Sequence, residues 1–506
     1  MSEADSVNST VPQTRTRALG WHCWLCAALL AVAGFFADTH DNSFPFYYHV
    51  DEPSKTGQVI RGEYNFHHPL LLLDATEGLM RIAGTPKEPQ AVVEKGRTAS
   101  AIFAALSIAA MVVLGWQLGG AAAGWLAGVL TLTHPALFEL SHYMKEDCAL
   151  LVGLTWTAVA LVAYGRKRTL AWAILVGLAA GLTASGKLLG LVMTGTALLA
   201  VSLTRRPMGS RWTALLASTL AAAVCFAAWN APAFSNLQRV STSLGKEIEK
   251  IEKRGAEKEE RDEGIKFKHL SKLGTTLSVP LLLGLAYWSY RRWRERGPVA
   301  LRVLGCFVVG YFLIVSLSPK TKDRYLLPVY VLACGLGAAG MVEWTRAQPA
   351  GSRWRWAGPV LAAAAVVWHL PELAENWNAF GHDDRRDLTA WLREHVPTKE
   401  GIAHDIRAHL SLAQEFRLPG FELPNPLLAP EDRRMAELGT LAQLRARGIT
   451  YVVACDADYH SVLQRGGKAD QREFYQKLFD KNKLLWERPP GPIAYLQPGL
   501  RVYELK

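Results

Sequence analysis

The sequence lacks what a disulfide-stapled or metal-clustered protein carries. Seven cysteines are spread over 506 residues, and none falls in a metal-ligand pattern. Cys23 and Cys26 form C-x-x-C, but inside the apolar run WHCWLCAALL, where cysteine reads as a small packing residue. Cys148, Cys225, Cys306 and Cys334 lie in or beside other apolar runs, and Cys455 stands in YVVACD, which reads as a buried strand. Internal repeats and low-complexity segments are missing too. No small-residue cleavage site follows the first apolar run, which begins near Ala18 behind Arg15 and Arg17, so it reads as a retained span. Charge is absent from runs of about 18 or more residues, the length that crosses a bilayer.

What is present is apolar. Half of the residues are hydrophobic. Spans are expected at roughly 18–37, 98–116, 119–138, 148–165, 169–186, 188–204, 212–232, 274–290, 299–317, 325–344 and 355–371, eleven in all. The net charge of +11 is a topology signal rather than a nucleic-acid signal, because Lys and Arg collect in cytoplasmic loops. GRKR, TRRP, YRRWRER and SRWRW all fall on the side of the N-terminal tail. Residues 1–17 are therefore expected in the cytoplasm and the C-terminus outside, in a multi-pass plasma (inner) membrane protein. The stretch 169–204 reads as a hairpin. One helix would place Lys187 at the bilayer centre, at a cost of about 3 kcal/mol.

Three regions then face outward. The loop 38–97 is rich in ionisable residues. The loop 233–273 reads as an exposed charged helix with pairs such as Glu249/Lys253 and Glu257/Arg261. Residues 372–506 read as a small extracytoplasmic α/β domain, with an amphipathic helix in DLTAWLREHVP, a buried strand in GITYVVACD and an edge or hairpin strand in AYLQPGLRVYEL. Residues 18–371 form the membrane domain.

The outer side collects acids and bases: Asp51, Glu52, His67 and His68; Lys145, Glu146 and Asp147; Lys187; and Lys320, Lys322, Asp323, Arg324 and Tyr325. Carboxylates can activate a hydroxyl or hold a metal, and cations can bind a phosphate whose lipid tail stays in the bilayer. Each group alone has a plainer reading, such as snorkelling for the lysines or a helix-start acid for Glu52.

In order, these residues resemble the motifs of the polyprenyl-phosphate-sugar-dependent membrane glycosyltransferases, which include protein O-mannosyltransferases and the lipid A aminoarabinose transferase. Asp51-Glu52 are similar to the acidic pair of the first outer loop, Gly62-Glu63-Tyr64 to its middle step, and His67-His68-Pro69-Leu70 to its last. Asp147 falls at the second acidic position. LTASGKLLG resembles the family's Lys-Gly turn, and KDRYLLPVY its Arg-Tyr-Leu-Leu-Pro element. The chain departs from the pattern at Lys55, where many members have an aromatic, and at His68, which replaces a proline. The resemblance implies a GT-C-like helical bundle and a lipid-linked sugar donor. It also implies inverting transfer to a protein, lipid or glycan acceptor, with Asp51 and Asp147 catalytic. Glu52, His67, His68, Glu146, Lys187, Arg324 and Tyr325 would bind substrate. No cofactor is fixed. Asp147 orients the acceptor or shares a divalent cation (Mg, Mn or Zn) with Asp51. The expected partners are the membrane and the lipid-linked donor, with no nucleic acid. The competing reading is a multi-pass transporter of a polar or anionic substrate, which the lack of a repeat disfavours.

Overall fold

The computed structural model describes residues 19–43, 47–204, 208–260, 270–295, 297–317, 323–397, 400–408, 410, 427–428, 434–464 and 467–505. Lys320, Lys322, the tail 1–17 and Arg261 lie outside them, and so do the side chains of Asp323 and Glu257.

The chain is a helical bundle followed by a small sheet domain. Its described α-helices ahead of the sheet are α1 (Trp21–Asp38), α2 (Glu52–Arg61), α3 (Leu71–Ala83), α4 (Pro89–Gly119), α5 (Ala121–Leu132), α6 (Pro135–Ser141), α7 (Glu146–Lys167), α8 (Leu170–Gly186), α9 (Gly190–Leu203), α10 (Met208–Trp229), α11 (Ala231–Phe234), α12 (Leu237–Glu260), α13 (Leu270–Thr276), α14 (Val279–Arg294), α15 (Val299–Leu317), α16 (Leu327–Ala347), α17 (Ala357–Phe380) and α18 (Asp384–His395).

A helix stands at each of the eleven expected spans, but a count of eleven full spans is not confirmed among the described residues. Among the described residues, seven helices are long and apolar enough to cross a bilayer, or eight if α5 and α6, bent by 57°, make one broken span. Helices α8 and α9 are apolar but short, with 17 and 14 residues, and α14 has only 16 and ends in Arg291, Arg292 and Arg294. The helix α17 continues beyond residue 371, through Pro371, to Phe380. The cysteines are free, and Cys23, Cys26, Cys148, Cys334 and Cys455 are buried, as packing residues should be.

The short hairpin at 169–204 is held by close backbone approach. A Cβ on Gly186 would collide with the backbone of Ala149 and Leu150, and one on Gly153 with that of Thr183. Small residues let α7 and α8 touch, and this sets Lys187, just past α8, beside the start of α7. Helices α1, α8, α10 and α17 end, and α4, α7 and α16 begin, at one end of the bundle. The basic clusters Arg166–Arg168, Arg291–Arg294 and Arg353–Arg355 lie at the opposite helix ends.

The C-terminal domain contains the strands β1 (Gly401–His404), β2 (Leu427–Leu428), β3 (Ile449–Cys455), β4 (Lys483–Arg488) and β5 (Leu500–Glu504), in the sheet order β2-β1-β3-β5-β4. The β1–β2 and β1–β3 pairs are parallel, while β5 runs antiparallel to both β3 and β4. Strand β3 is almost wholly buried, as its apolar run predicts. Strand β5 is interior, and it pairs antiparallel with β4, the strand before it, so of the two expected settings the hairpin is found and the edge is not. Ile493 and Leu496, in the loop before β5, join the core of the membrane bundle.

Candidate active site

Two acidic pairs face each other across the end of the bundle. One is Asp51-Glu52, at the start of α2. The other is Glu146-Asp147, at the start of α7. Each pair has a lysine nearby in sequence, and the lysines are exchanged: Lys145 Nζ pairs with Asp51, and Lys55 Nζ pairs with Glu146. The remaining two acids take partners from other elements. Glu52 Oε2 is 2.9 Å from Arg97 Nη2, and Asp147 Oδ1 is 2.7 Å from Lys187 Nζ. Four carboxylates thus have four cations, and Arg324 is a fifth.

Glu52 is fully buried and saturated. Arg97 Nε and the Met144 N–H donate to Oε1, and Arg97 Nη2 and the Tyr48 N–H donate to Oε2. Arg97 also lies over the Tyr48 ring, 3.6 Å from its centroid, and donates to the Asn42 carbonyl. This pair pins the first loop to α4 and to the turn before α7. Arg97 was not legible in sequence, because a basic residue just before an apolar run looks interfacial.

His49 is the centre of the cationic side. Arg324 Nη1 lies 2.9 Å from its Nε2, Lys145 Nζ lies 3.0 Å from the same atom, and the Asp51 N–H points at Nδ1 from 3.0 Å. Burial, with Lys145 beside it, holds the imidazole well below its ordinary pKa, so it is neutral. A neutral imidazole has one acceptor nitrogen, so the donors around it exceed what it can accept. Tyr495, from the C-terminal domain, closes this side with its ring 4.6 Å from His49. Neither His49 nor Tyr495 belongs to a pattern legible in sequence.

Asp51 is the accessible acid, with its side chain 44% exposed. Burial raises its carboxyl, but Lys145, His49 and Lys55 outweigh burial and hold it below its ordinary value. Burial and Arg324 push Lys145 down to about 8, against the pull of Asp147 and Asp51. Glu146 raises the His68 imidazole, yet burial with Lys55 and Lys187 brings it below its usual value.

Asp51, Lys55, His67, His68 and Glu146 line a polar cavity of about 210 Å³, covered by Lys250 of α12. Gly62, in the left-handed region at φ 67°, ends α2 and turns the chain toward it. Asn230 ties the floor together: its Oδ1 accepts from the Leu70 N–H at 2.9 Å, and its Nδ2 lies 3.2 Å from Ser185 Oγ. Lys187 and Arg324 both lie over the Tyr325 ring, at 4.7 and 5.5 Å. The predicted residues therefore come together in two groups, Asp51/His67/His68/Glu146 at the cavity and Asp147/Lys187/Arg324/Tyr325 beside it, with Glu52 beneath.

A divalent cation shared by Asp51 and Asp147 does not suit this donor set. Lys145 and Lys187 occupy the facing oxygens, and only Asp147 Oδ2 is left buried without a hydrogen-bond partner. Among the described residues, His49 Nδ1 lies 3.6 Å from Asp51 Oδ2, but no group of three His, Cys, Asp or Glu atoms includes Asp51 or Asp147.

Residues 67–229 match the family described as dolichyl-phosphate-mannose-protein mannosyltransferase. A comparison with curated proteins gave no match. Among solved structures the chain is similar to ArnT from Cupriavidus metallidurans in the apo state, at 15% identity and TM-score 0.50, covering 96% of this chain and 98% of that one. It is also similar to the Archaeoglobus fulgidus oligosaccharyltransferase in complex with Zn and sulfate, at 12% identity and TM-score 0.48, covering 96% and 72%. A third similarity is to the S. cerevisiae protein O-mannosyltransferase Pmt1-Pmt2 complex bound to the sugar donor, at 19% and 0.38, covering 44% and 35%. The chain thus has the fold of the ArnT structure, with helices long and apolar enough to cross a membrane several times, and its residues 67–229 match the dolichyl-phosphate-mannose-protein mannosyltransferase family.

Proposed function

We propose that this protein moves a sugar from a polyprenyl-phosphate-linked donor to an acceptor hydroxyl, with inversion at the anomeric carbon and Asp51 as general base. The observation that carries this reading is the convergence of Lys145 and Arg324 on neutral His49, beside the exposed Asp51. A surplus of donors around one lone pair is a site for an anion. The matched family's description names a dolichyl-phosphate sugar, which is such an anion on a lipid. An apolar groove of about 570 Å³, lined by Trp24, Trp156, Trp172, Leu182 and Trp229 among others, would take part of the lipid chain.

The chemistry follows from the pairing. The acceptor oxygen attacks the anomeric carbon as the bond to the phosphate oxygen breaks, and the phosphate leaves with that electron pair. The hydroxyl proton goes to Asp51, which must be within hydrogen-bond reach. Asp51 is a weak base while Lys145 holds it. Once Lys145 turns toward the phosphate, the carboxylate loses that cation and becomes more basic. Lys145 and Arg324 stabilise the charge that builds on the departing phosphate. Lys187 pairs with Asp147 and holds it in place, and Glu52 with Arg97 positions the loop that carries Asp51. The expected orientation puts this end outside, the Arg-rich helix ends in the cytoplasm and the whole in the inner membrane.

The test is to incubate the purified protein in detergent with a panel of polyprenyl-phosphate sugars and hydroxyl acceptors, and to read products by mass spectrometry. Sugar transfer without any ion gradient supports the reading. If no lipid-phosphate sugar is consumed while vesicles show substrate flux, the reading is wrong.

A further inference from the structure

Away from this site, three ligating side chains meet where the membrane domain joins the C-terminal domain. His382 lies between α17 and α18, and Asp384 and Asp387 are in the first turn of α18. His382 Nε2 is 3.7 Å from Asp384 Oδ1 and 3.3 Å from Asp387 Oδ2. One ligand atom from each residue lies within 4.8 Å of the others. Ligands about 2.1 Å from a tetrahedral ion stand about 3.4 Å apart, so two edges of the triangle already have the spacing of a coordination shell.

A second observation concerns Asp384 itself. It is buried to 4% relative exposure, yet its carboxylate makes no hydrogen bond among the described residues. Its one ionic contact is the long one to His382. The neighbouring acids are provided for: Asp383 is gripped by Arg385, and Asp387 Oδ2 accepts from Arg488 Nη2 at 3.1 Å. A carboxylate oxygen has two lone pairs, so that contact leaves Asp387 able to ligate.

We propose that His382, Asp384 and Asp387 bind a divalent transition cation of the Zn or Mn class, and that this cation fastens the C-terminal domain to the membrane bundle. The imidazole selects against Mg and Ca, and the mixed nitrogen and oxygen set suits Zn or Mn. The fastening follows from what surrounds the cluster. The Asp384 N–H donates to the Leu496 carbonyl at 3.0 Å. Leu496 and Ile493 are buried in the bundle core, and Tyr495 between them packs on His49. Arg488 belongs to β4 of the sheet. The ion would therefore sit at the foot of the loop that closes the candidate active site. This site shares no residue with that centre.

The test is titration of the full-length, tag-free protein in detergent with ZnCl₂ and, separately, MnCl₂, followed by calorimetry and by metal content after gel filtration. The proposal expects one equivalent bound, a rise in melting temperature of about 2–4 °C at saturating metal, and slower proteolysis of the α17–α18 join. Asp384→Asn keeps the shape of the side chain and His382→Ala removes an exposed one. Each should abolish the bound equivalent and the shift. No saturable binding by the wild-type protein, or equal binding by both variants, would overturn the site, leaving His382 as an ion-pair partner only. Binding with unchanged melting and proteolysis would overturn the fastening.

Discussion

Arg97 and Glu52 form a fully buried, two-pronged ion pair, with Nε to Oε1 at 3.2 Å and Nη2 to Oε2 at 2.9 Å. The glutamate lies next to Asp51 in sequence yet faces the opposite way, into protein. Glu52→Gln leaves a buried guanidinium without its counter-charge. The expected cost is about 3–5 kcal/mol of stability, seen as loss of folded protein in a thermal or protease assay. Donor KM in the folded remainder should be unchanged. A stable Glu52→Gln protein with raised donor KM would instead make Glu52 a substrate ligand.

Lys187 and Arg324 are separable. Lys187 neutralises buried Asp147, so Lys187→Ala should lower stability first. Arg324 faces His49 and carries no ion pair of its own among the described residues, so Arg324→Ala should fold normally. It should raise donor KM about ten- to a hundred-fold, the worth of one charge-assisted contact, with acceptor KM little changed. Steady-state kinetics with each substrate varied separately, beside a melting curve, distinguishes the two.

The lowered Lys145 gives a pH signature. With its pKa near 8 in the free protein, Lys145 is charged below that pH and neutral above it. An ordinary lysine keeps its charge to about 10.4. The value of kcat/KM for the donor should therefore fall roughly tenfold per unit above pH 8. Lys145→Arg keeps the charge throughout and should remove the alkaline fall, whatever its effect on the maximum.

Gly186 has room for no side chain against Ala149 and Leu150. Gly186→Leu should force α8 off α7 and pull Lys187 from Asp147, lowering both stability and transfer. Gly195, where a side chain would meet nothing, serves as the control, and Gly195→Ala should be neutral. Melting temperature and specific activity of both variants check this.

Much of this was legible in the chain. Apolar length placed a helix at each expected span, and the positions of the Arg-rich loops gathered Asp51, Asp147, Lys187 and Arg324 at one end. The short hairpin was legible from Lys187, which could not sit at mid-membrane. The pairings were not. Lys55 stood out only as a departure from a family pattern, and its partner Glu146 is 91 residues away. Arg97, His49 and Tyr495 act through contacts that sequence spacing does not encode. The span count of eleven is not confirmed, because α8 and α9 are apolar but short and α14 is short and ends in arginines, and composition alone does not say whether a short helix crosses.

The central claim is that Asp51 removes the proton of the acceptor in a transfer from a lipid-phosphate sugar. Single-turnover transfer by purified wild-type protein and Asp51→Asn, with polyprenyl-phosphate sugar bound beforehand, tests it most directly. The account predicts a rate lower by about 10²–10⁴ in the variant, with lipid-phosphate binding preserved. Equal rates in the two proteins, both folded and both loaded with donor, would contradict it.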